Sequence, residues 1–296
     1  MTLSPLNVLK LGTRGSPLAL VQANMVRDAL IEAHGIDVEI VIIKTTGDKV
    51  QDRPLAEIGG KALWTKELDR ALLSGEIDCA VHSMKDVETV RPAEIAIVAI
   101  LPRADVRDRL IGAASIADLA QGATVGTSSP RRRAQLLRMR PDLNIVMFRG
   151  NVDTRLAKLA TGEADATLLA AAGLERLNRP DVGVAIELDV MLPAPAQGAV
   201  GIETRADDTA TRALIVPLDH AATHACVLAE RALLAALKAD CHSPVAALAS
   251  GDGTIRAELF AEDGSDHIAG QGDDPTALAH DLLARAPQAV RKLFSA

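Results

Sequence analysis

LGTRGSP (residues 11–17) and VGTSSP (residues 125–130) are two versions of one local signal. In each, an apolar run reaches Gly-Thr and a Ser-Pro pair follows. That is how a strand stops and a helix starts, with Ser16 placed as an N-cap and Pro17 at the first helical position. A second pair of segments repeats downstream: Ser74-Gly75-Glu76-Ile77-Asp78-Cys79 and Thr161-Gly162-Glu163-Ala164-Asp165-Ala166. Between the anchors lie VEIVII (38–43) in the first copy and NIVMF (144–148) in the second. Strands are expected at 8–11, 38–43 and 77–81, and a helix after Ser16 with Leu18, Val21, Met25 and Ala29 as its apolar stripe. Alternating β-α-β-α order implies a mostly parallel sheet covered by helices. The repeat therefore predicts two α/β domains of one plan.

Proline-bearing stretches mark where the chain changes domain. LPRAD (101–105) reads as a crossing from the first domain to the second, and LPAPAQG (192–198) as the return. AVGIET (199–204) follows as a strand able to rejoin the first sheet. Two crossings between similar domains make a hinge, the place where a ligand is expected. Beyond Pro217 the pattern changes to a helix over 223–239, a strand over 255–260, and more helix over 276–293. The boundaries expected are 1–101 with 197–217 for the first lobe, 102–196 for the second, and 218–296 for a small α+β domain.

Bulk composition narrows the function classes. The chain has 296 residues, 48% of them hydrophobic, with only 1% aromatic and no tyrosine. That length suits more than one core, and the cores must be aliphatic. A net charge of −7 opposes a general nucleic-acid or anionic-membrane binder. Three cysteines, at 79, 226 and 241, make no paired disulfide framework. The N-terminus has no basic region followed by a continuous apolar one, and no run of about 18 apolar residues exists. A cytoplasmic protein with neither membrane nor nucleic-acid partner is expected.

Positive charge is concentrated in one place. Residues 128–158 carry seven arginines and one lysine against Asp142 and Asp153, an excess of six, while the remainder carries −13. Ser128-Ser129-Pro130-Arg131-Arg132 lies where a strand meets a helix N-terminus, with unused backbone N–H groups and a favourable dipole for an anion. Thr13-Arg14-Gly15-Ser16 holds the matching place in the first copy. Guanidinium forks suit carboxylate or phosphate; a solvated basic face is the plainer alternative. Separately, CAVHSMKD (79–86) delivers His82, Lys85 and Asp86 to one spot at the end of an apolar strand. A surface turn or a working carboxylate would both explain that.

HSMKD (82–86), GTSSPRR (126–132), RGNVDTRL (149–156) and PAQGAVGIE (195–203) together resemble the porphobilinogen deaminase (hydroxymethylbilane synthase) family. LGTRGSPLAL (11–20), GGKALWTKEL (59–68) and LAAAGLERL (169–177) extend the resemblance, which runs in order from about residue 8 to 245. It implies two lobes like those of periplasmic binding proteins, joined by a two-segment hinge, plus a small third domain. It implies a transferase of haem biosynthesis that adds four porphobilinogen molecules head to tail onto a dipyrromethane primer, losing ammonia each time. Water then frees hydroxymethylbilane.

By the same resemblance Cys241 carries the dipyrromethane cofactor as a thioether, in a loop where a thiol can be reached and ionise. Asp86 is the catalytic carboxylate, and Lys85 either holds a cofactor carboxylate or tunes Asp86. Arg131, Arg132, Lys85, Ser128 and Ser129 are expected around the cofactor. Arg14, Ser16, Arg149, Arg155, Arg176, Lys61, Trp64 and Gln197 are expected around substrate. Arg133, Arg138 and Arg140 are left to solvent or structure, Cys79 and Cys226 to the core. A zinc site among His220, His224, Cys226, Cys241 and His242 fits no standard spacing, so no metal is expected. The segment 45–64 predicts a lid over the cleft, and the protein a monomer.

Four positions depart from the family pattern. Trp64 stands where phenylalanine is usual, Cys241 is followed by His242-Ser243-Pro244 rather than Gln-Val-Pro, Pro130 replaces an aliphatic residue, and Pro195-Ala196 replaces Val-Gly. A two-lobed binding protein without catalysis is the competing class. It would explain the hinge and the arginines but neither the Lys85-Asp86 pair nor the loop cysteine.

Overall fold

The computed structural model describes residues 8–44 and 65–294. The expected lid over 45–64, with Lys61 and Trp64, lies outside the described residues. The chain divides into two compact units, 1–103 with 199–224, and 104–198 with 225–296.

The first unit is built on a five-stranded sheet. Its strands are β1 (Leu9–Thr13), β2 (Val38–Ile42), β3 (Cys79–Ser83), β4 (Ile95–Ile100) and β10 (Val200–Arg205). They lie in the order β2-β1-β3-β10-β4, with β1 parallel to β2 and β3, and β10 antiparallel to β3 and β4. The second unit repeats this plan. Its strands are β5 (Asp108–Ile111), β6 (Thr124–Gly126), β7 (Asn144–Val146), β8 (Ala166–Ala170) and β9 (Val184–Ala185), in the order β7-β6-β8-β5-β9. Here β6 is parallel to β7 and β8, and β5 antiparallel to β8 and β9. In each sheet the antiparallel inner strand is the first one made after the chain changes unit. The strand expected over 199–204 does rejoin the first sheet.

The repeated residues have repeated jobs. The Asp78 carboxylate accepts from the Lys10 amide at 2.8 Å, and Asp165 from the Thr124 amide at 2.7 Å. Each aspartate thus ties the start of one parallel strand to its neighbour. Gly12 and Gly126 occupy points of closest packing: a Cβ at Gly12 would meet the Ile77 side chain at 2.2 Å, and one at Gly126 the Phe148 ring at 2.3 Å. Ser16 caps the helix Pro17–His34 by accepting from the Ala19 amide, and Ser129 caps Pro130–Met139 by accepting from Arg132.

The apolar stripe of the first helix differs from the sequence expectation. Ala23, Val26 and Leu30 are buried, whereas Met25 is exposed. The helix is apolar over most of its circumference, so periodicity alone does not choose a face; packing on Leu9, Leu11 and Val81 does.

The remaining sheet is an antiparallel meander, β11 (Val245–Ala249), β12 (Ile255–Phe260) and β13 (His267–Gly272). Its core is closed by Leu233 of the helix Ala221–Ala236, by Leu237 just after that helix, and by Leu278 and Leu282 of Pro275–Arg285. Phe260 and Ala246 also pack with Ala134 and Leu192, joining the meander to the helix Pro130–Met139.

Candidate functional site

In the first unit, β1 and β3 lie side by side and end on the same edge. Beyond β1, residues 14–16 turn into the capped helix; beyond β3, Met84–Asp86 forms one 3-10 turn. These ends border a small cavity that is open to solvent. Its lining includes Arg14, Ser16, Gln22, Thr65, His82, Ser83 and Asp86. Gln22, buried in the helix, bonds the Ser83 hydroxyl at 2.7 Å and clamps the helix to the end of β3. The Asp86 carboxylate, half-buried, makes no hydrogen bond or ion pair with the described residues. It is a charge held by the turn and open to a ligand.

Behind the cavity wall runs a buried chain of charges. His82 Nε2 lies 3.2 Å from Glu203 Oε2, and the Arg91 guanidinium reaches both Glu203 oxygens at 2.8 Å. Arg91 also pairs with Asp69 and Glu88. Burial alone would raise the Glu203 carboxyl, but His82 and Arg91 outweigh it and lower it to about 2.

The second unit collects the predicted arginines differently. Arg131 and Arg132 are buried, and their guanidinium groups converge on Asp108 at 2.8 and 2.7 Å. Gln197 donates to the same carboxylate at 2.8 Å. Arg131 also donates to the Leu192 carbonyl and Gln135, and Arg132 to the Leu168 carbonyl. Burial opposes ionisation of Asp108, yet the two guanidiniums hold it well below the usual carboxylate range; burial likewise lowers Arg131. Two cations on one anion leave one positive charge in excess, and the Nε–H groups of both arginines are buried without a partner.

Nearby in sequence, Arg155 donates to the Gly150 carbonyl and to Ser128 Oγ, while Ser129 caps its helix. Arg149 keeps one buried terminal nitrogen without a partner. Arg176 donates to the Gly198 carbonyl, and burial lowers its pKa. Arg133 and Arg138 are exposed, whereas Arg140 holds the carbonyls of Ile116, Ala117, Leu119 and Ala120 together, a structural role. Lys85 is half-buried beside Asp86.

Cys241 is exposed in the loop before β11, where Asp240 accepts from the His242 amide and its own amide donates to Ser243. Cys79 is buried, and burial pushes its thiol up, beyond useful ionisation. Cys226 is half-buried against the core of the meander.

Sequence reasoning placed His82 with Lys85 and Asp86 but gave it no role, and it did not single out Glu203, Arg91, Asp108 or Gln22. A signal existed for Glu203 and Gln22: each is a polar residue inside an otherwise apolar strand or helix face. None existed for Asp108, whose partners lie 23 and 24 residues away.

The first unit leaves a carboxylate open at its strand ends, and the second holds surplus guanidinium charge of the kind that suits acidic groups. The chain belongs to the porphobilinogen deaminase family. The model of the porphobilinogen deaminase dipyromethane cofactor binding domain matches residues 9–213, and that of the porphobilinogen deaminase C-terminal domain matches 224–286. The porphobilinogen deaminase of Sphingopyxis alaskensis is 58% identical, covering 99% of this chain and 98% of that protein. That of Paracoccus denitrificans is 51% identical over 96% of each. Among solved structures, the methionine binding protein MetQ aligns with 72% of this chain and 89% of its own at 14% identity and a TM-score of 0.45.

The activity is accordingly that of a transferase of porphyrin and haem biosynthesis: stepwise condensation of four porphobilinogen molecules on a dipyrromethane primer, with release of ammonia, then hydrolysis to hydroxymethylbilane. The residues present fit that primer. Cys241 offers a reachable thiol, and the excess charge and orphan Nε–H groups of Arg131 and Arg132 suit a carboxylate. No helix among the described residues is long and apolar enough to cross a membrane.

Proposed function

We propose that Asp86 is the catalytic carboxylate of this reaction and that Arg14 and Ser16 hold the incoming porphobilinogen beside it. The observation that carries the reading is the open Asp86 carboxylate in the wall shared with Arg14 and Ser16. When bound, the dipyrromethane supplies the pyrrole carbon to which the first substrate unit is joined. Porphobilinogen enters with its aminomethyl group as ammonium. The C–N bond breaks, its electron pair leaves on ammonia, and the ring is left cationic. A carboxylate a few ångströms away stabilises that cation in a partly dehydrated cavity. Asp86 would likewise face the positive charge that coupling leaves beside it.

Cys241 would hold the primer. Arg131, Arg132, Ser128, Ser129 and Lys85 would surround its acidic side chains, and Arg149, Arg155, Arg176 and Gln197 those of the growing chain, together with Lys61 and Trp64. Arg131 and Arg132 do this while anchored on Asp108, which supports a fixed rather than adaptable subsite. The division 1–101 with 197–217, 102–196 and 218–296, the last bearing Cys241, belongs to the same reading, as do a monomeric state and a cytoplasmic location.

Asp86→Asn should fold as the parent does and lose turnover by about 100-fold or more; retention of most of the activity would reject the assignment. Intact-protein mass of the parent should exceed the polypeptide by one dipyrromethane, and Cys241→Ala should abolish the increment. A bare-chain mass in active parent protein would refute Cys241 as the anchor.

A further inference from the structure

Each condensation must remove one proton from carbon. After the new C–C bond forms, the attacked ring is cationic and regains aromaticity only by losing its α-hydrogen. A carboxylate suits the stabilisation of cations but is a weaker proton acceptor than imidazole by about two pKa units in reference compounds. The cavity contains an imidazole. His82 lines it together with Asp86, Arg14 and Ser83, and is otherwise buried.

His82 is arranged as histidines that handle protons are. Its Nε2 faces the fully buried Glu203 carboxylate at 3.2 Å. The carboxylate favours the tautomer with the proton on Nε2, which leaves Nδ1 as the basic nitrogen. Arg91 and Asp69 hold Glu203 in place from behind. A β-bulge sits at this point: Ile202 pairs with Ala99 but Glu203 with Ile97, so Val98 is extra. Bulges re-aim side chains and recur beside active sites.

We propose that His82 is the proton acceptor of the condensation, backed by Glu203, with Asp86 reserved for the cations. The C–H bond of the coupled ring breaks, its electron pair restores the pyrrole, and the proton passes to His82 Nδ1. The imidazolium, balanced by Glu203, then returns the proton to the released ammonia, which leaves as ammonium. One proton and one ammonia are discharged per unit added, and His82 is neutral for the next.

The inference rests on the function proposed above, and its test is separable from it. Porphobilinogen deuterated at its unsubstituted α-carbon is given to primer-loaded parent enzyme, His82→Gln and His82→Ala, with loading checked by intact mass. Both variants should lose about 100-fold or more in kcat with KM little changed. Both should also show an α-deuterium isotope effect on kcat larger than the parent's, and added imidazole should restore turnover to His82→Ala. Near-parental kcat, or a loss with an unchanged isotope effect and no rescue, overturns the proposal. If one variant fails to fold or load, the other decides. If neither folds, the residue is structural and the proposal falls. A parent enzyme that releases no ammonia from porphobilinogen would defeat the underlying function instead.

Discussion

Asp108→Asn is the substitution from which the second unit has most to lose. Asparagine keeps the shape and can still accept from Gln197 or one arginine. It removes the carboxylate that Arg131 and Arg132 share, and both remain buried. Two ion contacts of this kind are each worth about 4 kcal/mol at an effective dielectric of about 20. Desolvation already offsets much of that, and removing one partner of a buried charge cluster costs about 3–5 kcal/mol. With a urea dependence of about 1–3 kcal/mol/M, the transition reporting the second unit should move down by about 1 M or more. Urea titration followed by far-UV circular dichroism measures this, and intact mass should show reduced primer loading because the arginine pair loses its anchor. Arg132→Gln added to Asp108→Asn should recover part of the stability, since one excess cation is removed; contacting residues of this kind are not additive. An unchanged midpoint, or strictly additive losses in the double variant, would refute the account of Asp108 as counterion.

Two further outcomes follow from packing and from charge. Gly126→Ala should destabilise the second unit by about 1–3 kcal/mol, more than Gly12→Ala does the first. Its Cβ would strike the Phe148 ring, whereas the Gly12 clash is with the mobile end of Ile77; a reversed order in urea titrations would refute this. Glu203 has a carboxyl lowered from 4.5 to about 2, so its contribution is complete above about pH 4.5 and lost as pH falls toward 2. That contribution is about 3 kcal/mol, and acid unfolding of Glu203→Gln should show a flatter pH dependence than the parent in that window; identical acid titrations would reject it.

The duplicated plan is legible in the sequence because its signals are local. A strand ending in Gly-Thr, a Ser-Pro helix start and a Gly-Glu-x-Asp turn each specify their own few residues through capping, close packing and backbone shape. Their repetition exposes two sheets of one topology. The Lys85-Asp86 turn, the arginine concentration and the loop cysteine were legible for the same reason: chemistry and position sit in one short segment. The face of the first helix was not, since an apolar circumference leaves the choice to its neighbours.

What only the tertiary structure decided is how charge is paired at a distance. Arg131 and Arg132 look from sequence like open anion ligands, yet folding sets both against Asp108 on an adjacent strand, leaving a surplus of one. Glu203 and His82, over 100 residues apart, meet because β10 returns to lie antiparallel beside β3. Electrostatic energy in a dry interior depends on ångström separations between segments, and the order of residues along a chain does not contain those separations until the sheets have formed.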